Sequence, residues 1–253
     1  MMYLVRIVLV SILTLTSLHL TDIACAEAIA QAAPPAGEIK HATDVSDLPL
    51  QIVAAEGKER DVIAVLYSGD GGWAGLDRDV AAYLAKKGIT VVGVDSRKYF
   101  WKRKTPQEGG RDLSRILQRY LVEGGNRQAL LIGYSLGADA LVPFLLNVPE
   151  ELQRRIPLAA LIGPGVRAEL EFHFEDWIEN DNRRGFPLRP EVQKLRQPPL
   201  LCLYGSDDSG ILCPQLTAKE AVVVAMPGDH HFNGDYAGLA QTILAHAGLD
   251  KKE

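Results

Sequence analysis

Short apolar runs rich in β-branched residues alternate with longer amphipathic segments, and this alternation limits the folds that the chain can adopt. The runs have the length and setting of buried strands. The predicted strands are Val62–Tyr67, Ile89–Val94, Ala129–Ile132, Leu158–Ile162, Leu200–Tyr204 and Val222–Ala225. The predicted helices are Leu76–Lys87, Gly110–Val122, Leu136–Leu146 and Tyr236–Ala247. Strand–helix repeats of this kind predict an α/β fold with a mostly parallel central sheet flanked by helices.

The length, composition and net charge of the chain predict a globular protein with one domain. The 253 residues suit one domain with a single core, which we expect over residues 49–250. A hydrophobic share of 47% and a charged share of 23% exclude extensive disorder and a polytopic membrane protein. The formal net charge of -5 provides no excess of cations for non-specific binding of nucleic acid, so we expect no nucleic-acid partner.

The first 26 residues have the pattern of a cleaved signal peptide. Arg6 precedes an apolar run from Ile7 to Leu20, and residues 24–26 (Ala-Cys-Ala) fit a cleavage site. A membrane anchor is the alternative, but Thr, Ser and His interrupt the run and it is short for a bilayer span. Residues 27–48 are rich in Ala and Pro without periodicity, so we expect a flexible lead-in. The sequence therefore predicts an exported protein.

Residues 133–137, Gly-Tyr-Ser-Leu-Gly, follow a predicted strand and open a predicted helix. In that context G-x-S-x-G is typical of a nucleophile elbow, in which the serine occupies a strained turn and the glycines leave room for the chain. The helix beginning at Leu136 directs unpaired N–H groups toward a developing oxyanion. This motif predicts an α/β-hydrolase fold with Ser135 as the nucleophile.

A serine nucleophile needs a base and a carboxylate that orients the base, and this fold supplies them in the order Ser, Asp or Glu, His. A predicted strand ends at residues 205–208, Gly-Ser-Asp-Asp. We choose Asp208 as the acid because it fits the common G-x-x-D spacing, and Asp207 is then a turn or capping residue. The next strand leads to His230 and His231. We choose His230 as the base from its position in the loop, and His231 could instead pack or hydrogen-bond nearby.

The second half of an oxyanion hole comes from the loop after an early strand. That loop is Ser68-Gly69-Asp70-Gly71-Gly72-Trp73, and we assign the two donors to the backbone N–H groups of Asp70 and Leu136. The loop lacks the Gly-Lys-Ser/Thr ending of a phosphate-binding loop. Because no metal-ligand spacing is visible either, we expect neither a metal nor a cofactor.

Two further features have alternatives that the sequence leaves open. Residues 165–199 interrupt the strand–helix rhythm and are either a cap over the site or a solvated excursion. Cys202 and Cys213 remain after removal of the signal. We favour a disulfide over two separate buried thiols, because exported proteins are oxidised and the turn-rich stretch 205–210 could bring the cysteines together.

Several motifs together resemble the bacterial VirJ/AcvB virulence proteins. The most specific are S-G-D-G-G-W at 68–73 and G-Y-S-L-G-A-D at 133–139, and the others lie at 172–177, 204–214 and 227–232. The resemblance implies a periplasmic protein linked to virulence and type IV secretion. AcvB-type members hydrolyse the aminoacyl ester of lysyl-phosphatidylglycerol and carry an additional N-terminal domain, so this chain is similar to the short VirJ form.

The resemblance implies an aminoacylated phospholipid as substrate, which would bring the protein into contact with a membrane surface. Such a substrate carries an amine near the scissile carbonyl, and the carboxylates of Asp70 and Asp139 could receive it. Each has an ordinary alternative: Asp70 could shape its turn, and Asp139 could complement a helix dipole. The alternative function is an adaptor that binds secretion components or effectors.

Overall fold

The computed structural model describes residues 43–122, 128–171 and 185–250. The predicted signal peptide, most of the predicted lead-in, and residues 172–184 of the predicted insertion lie outside these ranges, as does the motif at 172–177. Within the described ranges, no helix combines the length and the apolar character needed to cross a membrane.

Nine strands are described. They are β1 (Leu50–Val53), β2 (Val62–Tyr67), β3 (Thr90–Val94), β4 (Gln128–Tyr134), β5 (Ala159–Ile162), β6 (Arg167–Ala168), β7 (Phe186–Pro187), β8 (Leu200–Gly205) and β9 (Val222–Met226). Seven of the described strands form one sheet in the order β1-β3-β2-β4-β5-β8-β9. β1 runs antiparallel to β3, whereas the other neighbours are parallel. The mostly parallel sheet confirms the predicted fold class.

The described helices cover both faces of the sheet. They are α1 (Leu76–Lys86), α2 (Ser96–Tyr99), α3 (Pro106–Leu117), α4 (Leu136–Leu145), α5 (Glu150–Gln153), α6 (Arg189–Lys194) and α7 (Tyr236–His246). Alternate residues of β2 divide between two cores: Ile63, Val65 and Tyr67 pack with α3 and α4, and the residues between them pack with α1 and α7. A strand buried on both faces reads as a continuous apolar run, which is why β2 was predictable.

Several short elements were not predicted (α2, α5, α6, β6 and β7), and two further differences have clear physical reasons. β1 was not predicted, because it is a short edge strand whose middle residues, Gln51 and Ile52, are exposed. Helix α3 begins at Pro106 rather than Gly110, because Thr105 and Glu108 form a capping box and Pro106 occupies the first turn. After Leu117 the chain continues as a π-helical turn, Gln118–Val122.

The predicted disulfide is present. Cys202 on β8 and Cys213 in a short 3-10 turn are bonded, with their Cα atoms 5.5 Å apart. Both cysteines are fully buried. The bond closes the loop between them, which includes Asp208.

The described ends of the predicted insertion are packed. β6 and β7 form a two-stranded antiparallel sheet, and α6 follows it. Ala168, Leu188 and Val192 are buried in the core on the α3 and α4 face. Whether residues between these ends cover the site stays a prediction, because they lie outside the described ranges.

Candidate active site

Ser135 occupies a sharp turn between β4 and α4. β4 ends at Tyr134 and α4 begins at Leu136, so one residue reverses the chain, with φ 52° and ψ -119°. The Ser135 N–H donates to the carbonyl of Ile162 over 2.9 Å, which ties the turn to β5. A positive φ at a residue with a side chain is strained, and such strain is concentrated at functional sites.

The two glycines of the motif are required because backbone atoms of neighbouring segments lie too close to leave room for a side chain. A Cβ atom on Gly133 would lie 2.5 Å from the carbonyl oxygen of Gly137. A Cβ atom on Gly137 would collide with the backbone oxygens of Tyr67 and Ser68. Side chains at either position would therefore push α4 away from the ends of β2 and β4 and distort the turn that presents Ser135.

His230 and Asp208 come together from neighbouring strand ends. His230 Nδ1 lies 2.6 Å from Asp208 Oδ2, and the Asp208 side chain is largely buried. The two loops are joined by their backbones, because the Asp207 N–H donates to the carbonyl of Gly228 over 2.9 Å. The Asp207 carboxylate is exposed and accepts a hydrogen bond from Ser206 Oγ instead. Of the two adjacent aspartates, Asp208 is the one that contacts His230.

His231 has a different partner. Its Nδ1 lies 3.3 Å from the hydroxyl of Tyr134, the residue before Ser135. That hydroxyl also lies 3.2 Å from the carbonyl of His230 and can donate to it, and the Tyr134 ring packs on the His230 ring with centroids 5.3 Å apart. Burial raises the pKa of the Tyr134 hydroxyl, so it stays protonated. Tyr134 thus holds the loop of His230 and His231 beside Ser135.

Ser135, Asp208 and His230 line one cavity of about 450 Å³. The cavity wall also includes Asp139 and the glycine turn that follows β5. A Cβ atom on Gly163 in that turn would lie 2.8 Å from Cε1 of His230, so the imidazole rests directly against glycine backbone. Sequence reasoning missed Gly163; its signal was the Gly-Pro-Gly turn at the end of a predicted strand.

Asp139 lies one helical turn beyond Ser135 and faces the same cavity. Its Oδ1 accepts a hydrogen bond from the N–H of Gly165 over 2.7 Å. Burial raises the pKa of the Asp139 carboxyl well above its usual range, and the hydrogen bond from Gly165 opposes that shift. A carboxyl in this setting binds either a proton or a cation.

The glycine-rich loop after β2 borders Ser135. A Cβ atom on Gly69 would lie 3.6 Å from the Ser135 Cβ atom. Ser68 anchors the start of the loop, because its buried hydroxyl accepts the N–H of Ser96 over 2.9 Å. Asp70 is exposed and is absent from the described residues that line the Ser135 cavity, unlike Asp139. The Leu136 N–H lies in the first turn of α4, where N–H groups have no acceptor within the helix.

Asp77 is a buried carboxyl beneath this loop that sequence reasoning missed. It lies in the first turn of α1, is 2% exposed, and its Oδ1 has no hydrogen-bond partner among the described residues. Burial raises the pKa of Asp77 to about 7, while backbone hydrogen bonds from Ala74 and Gly69 oppose the rise and Asp95 adds to it. Helical periodicity alone gave no sign of a buried charge at this position.

The described residues include no group of three or more His, Cys, Asp or Glu side chains placed to hold a metal ion. The described residues that line the cavity include Ser135, His230 and the carboxyl groups of Asp208 and Asp139.

Comparisons with known proteins identify the family and the fold. The sequence matches the family described as "Bacterial virulence protein (VirJ)" over residues 61–251. A search of curated proteins gave no match. Many solved structures are similar, at low sequence identity.

Three of these structures are serine hydrolases or esterases by their descriptions. The esterase domain of a Rhodothermus marinus protein is 18% identical, with a TM-score of 0.55 and coverage of 79% of this chain and 92% of that chain. An α/β serine hydrolase without lid from Xanthomonas campestris is 16% identical, with a TM-score of 0.55 and coverage of 79% and 87%. An α/β serine hydrolase homologue from Coxiella burnetii is 16% identical, with a TM-score of 0.51 and coverage of 78% and 89%. These similarities confirm the predicted α/β-hydrolase fold.

Proposed function

The chain belongs to the VirJ family of bacterial virulence proteins, and on that premise we propose that it is a serine esterase acting through an acyl-enzyme at Ser135. The observation that carries the proposal is the 2.6 Å contact between His230 Nδ1 and Asp208 Oδ2, in the cavity that Ser135 lines. Nucleophile, base and orienting carboxylate on three strand ends are the parts that acyl transfer needs.

Each residue has a defined part in the reaction. With its proton on Nδ1, neutral His230 donates to Asp208 and leaves Nε2 to accept the proton of the Ser135 hydroxyl. Ser135 attacks the ester carbonyl, and the alcohol departs with the proton from His230. Water then attacks the acyl-enzyme while His230 takes a proton from it, and His230 passes that proton to the Ser135 oxygen as the acid product leaves. The backbone N–H groups of Leu136 and Asp70 stabilise the oxyanion in both steps.

The substrate we propose is an aminoacyl ester of a phospholipid, of the lysyl-phosphatidylglycerol type. Asp139 supports this choice, because it offers a carboxyl to the Ser135 cavity where the amine of an aminoacyl group would enter. Burial disfavours its charged form, so a cation bound beside it would be a favourable partner. Asp70, exposed on the neighbouring loop, is the second candidate for the amine.

We place this activity in the periplasm, linked to type IV secretion. The disulfide between Cys202 and Cys213 supports export, because structural disulfides persist in oxidising compartments. An ester of a membrane lipid would then be accessible at the outer face of the inner membrane.

The test combines active-site labelling with lipid hydrolysis. Wild-type protein should react with a fluorophosphonate probe and release lysine from lysyl-phosphatidylglycerol. Ser135→Ala should lose the label and about 10⁴-fold or more of the turnover. The matched control, Ser206→Ala, removes an exposed serine outside the cavity and should keep both. Labelling that persists in Ser135→Ala would refute the nucleophile.

A secretion assay on the same variants separates catalysis from an adaptor role. If hydrolysis supports secretion, Ser135→Ala should reduce both. Secretion that is unchanged by Ser135→Ala, despite complete loss of hydrolysis, would assign the secretion function to binding instead.

A further inference from the structure

A basic and aromatic surface lies beside the active-site edge of the sheet. Within residues 97–104, five of the eight residues are Lys or Arg and none is acidic, although the whole chain has a formal charge of -5. Trp101 in this segment is 65% exposed, the most exposed of the large hydrophobic side chains described. We call the surface formed by Arg97, Lys98, Trp101, Lys102 and Arg103 the basic patch.

The core fixes the orientation of this segment. Tyr99 and Phe100 are buried on the α3 and α4 face of the sheet, with their rings edge to face at 5.0 Å. The Asp95 carboxylate caps α2 by accepting the N–H of Lys98. Because the two central aromatic residues point inward, the residues on both sides of them are held at the surface.

The basic patch is continuous with the active-site loop. A groove of about 500 Å³ is lined by Gly71, Gly72, Trp73, Asp95, Arg97, Lys98 and Trp101. The Trp73 ring lies against Gly93 of β3, where a Cβ atom would collide with it. The same loop approaches Ser135 through Gly69. β3 and β2 are parallel neighbours, so the patch and the Ser135 cavity open at one edge of the sheet.

Carboxylates lie near the patch, at Asp95 and in a cavity that Arg103 shares with Glu169 and Glu171, but the cations of the patch are exposed to solvent. Lys98 forms an ion pair of 2.8 Å with Asp95, yet its side chain remains 66% exposed. Lys102 and Arg103 are exposed beside Trp101. Exposed cations next to a tryptophan are the combination that binds an anionic bilayer, since the cations attract anionic headgroups and the indole settles at the headgroup level.

We propose that the basic patch docks the protein on the surface of an anionic phospholipid bilayer, with Trp101 at the headgroup level and the Ser135 cavity beside the membrane. This inference deepens the proposed function and rests on it for its lipid substrate. A docked enzyme would meet its ester as a component of the bilayer surface rather than as a monomer in water.

The experiment measures binding to vesicles by co-sedimentation, with protein purified from the periplasm. Wild type should bind vesicles that contain phosphatidylglycerol far more strongly than pure phosphatidylcholine vesicles, and salt should weaken the binding. Lys102→Gln/Arg103→Gln should weaken it roughly thirtyfold, because each cation near an anionic surface contributes about fivefold. The control, Arg78→Gln/Lys86→Gln, removes two exposed cations from α1 and should bind like wild type. Melting temperatures verify that both double variants are folded.

Trp101 provides a second readout. Its fluorescence should shift to shorter wavelength on anionic vesicles, and the shift should be lost in Trp101→Phe. Equal binding to both vesicle types, or equal loss of affinity in the two double variants, would overturn the proposal. So would binding to an anionic polymer such as heparin without binding to vesicles.

Hydrolysis of a water-soluble ester by wild type, measured without vesicles, separates the two proposals. Turnover without vesicle binding would refute docking and leave the esterase intact. Vesicle binding without any turnover would refute the esterase.

Discussion

Replacement of Asp77 by Asn should make the protein more stable at pH 8 and should remove part of its pH dependence. Asp77 is 2% exposed, and burial raises its pKa from 3.8 to about 7. One pKa unit corresponds to about 1.4 kcal/mol, so ionised Asp77 destabilises the folded state by on the order of 4 kcal/mol. Asn is nearly isosteric and retains one acceptor oxygen for the N–H groups of Gly69 and Ala74.

The direction of the pH dependence follows from the raised pKa of Asp77 in the folded state. Below about pH 4 the carboxyl is protonated in both states and carries no penalty. Between about pH 4 and pH 7 the unfolded chain ionises Asp77 while the folded chain keeps its proton, so stability falls as pH rises. Above pH 7 both states are ionised and the full penalty applies. The variant carries no such dependence.

Urea unfolding at pH 4.5 and pH 8, followed by circular dichroism, gives the free energy of unfolding for both proteins. The stability of Asp77→Asn relative to wild type should increase by about 3 to 4 kcal/mol from the lower to the higher pH. The control, Asp79→Asn, removes an exposed carboxylate from the same helical turn and should keep the wild-type pH dependence. A relative stability of Asp77→Asn that is equal at the two pH values would refute the reasoning.

Three further predictions concern the site and its disulfide. His230→Ala should lower kcat for a soluble ester far more than His231→Ala, because Asp208 contacts only the former in the described structure, and the reverse order would move the base to His231. Asp139→Asn should lower the preference for lysyl over matched neutral esters by about tenfold to a hundredfold, and equal losses of kcat/KM on both would indicate a structural role instead. Reduction of the Cys202–Cys213 bond should lower the free energy of unfolding by about 2 to 3 kcal/mol, as measured with and without reductant, and two free thiols in unreduced protein would contradict the bond.

Local sequence patterns predicted the parts of the fold that bury apolar residues on both sides. β2 and β4 are continuous apolar runs, and the turn at Ser135 follows one of them directly. β1 escaped prediction because an edge strand with exposed residues lacks that pattern. The start of α3 at Pro106 follows from the capping box of Thr105 and Glu108, whereas apolar periodicity alone predicts a start at Gly110.

Contacts between distant loops were harder to predict. Sequence spacing favoured Asp208 and His230 but did not exclude Asp207 and His231. Adjacent residues in a turn differ only in the direction of their side chains, which the sequence does not give. The Tyr134 hydroxyl beside His231 is separated from it by 97 positions in the chain. Gly163 likewise contacts the His230 ring only after the sheet has formed. Such pairings depend on tertiary packing, for which a single sequence contains no local signal.

The loop from Ser68 to Trp73 has to be rigid despite its three glycines, because it borders both Ser135 and the basic patch. Its anchors are polar: Ser96 donates to Ser68, and the Asp95 carboxylate lies where a Cβ atom on Gly72 would meet it at 3.0 Å. The Asp77 carboxyl also accepts hydrogen bonds from the backbone N–H groups of Gly69 and Ala74. Burial raises the pKa of Asp77, and the nearby Asp95 carboxylate adds to that rise. The buried Asp77 carboxyl therefore costs stability above pH 7 but helps to order a glycine-rich loop whose backbone we propose as an oxyanion donor.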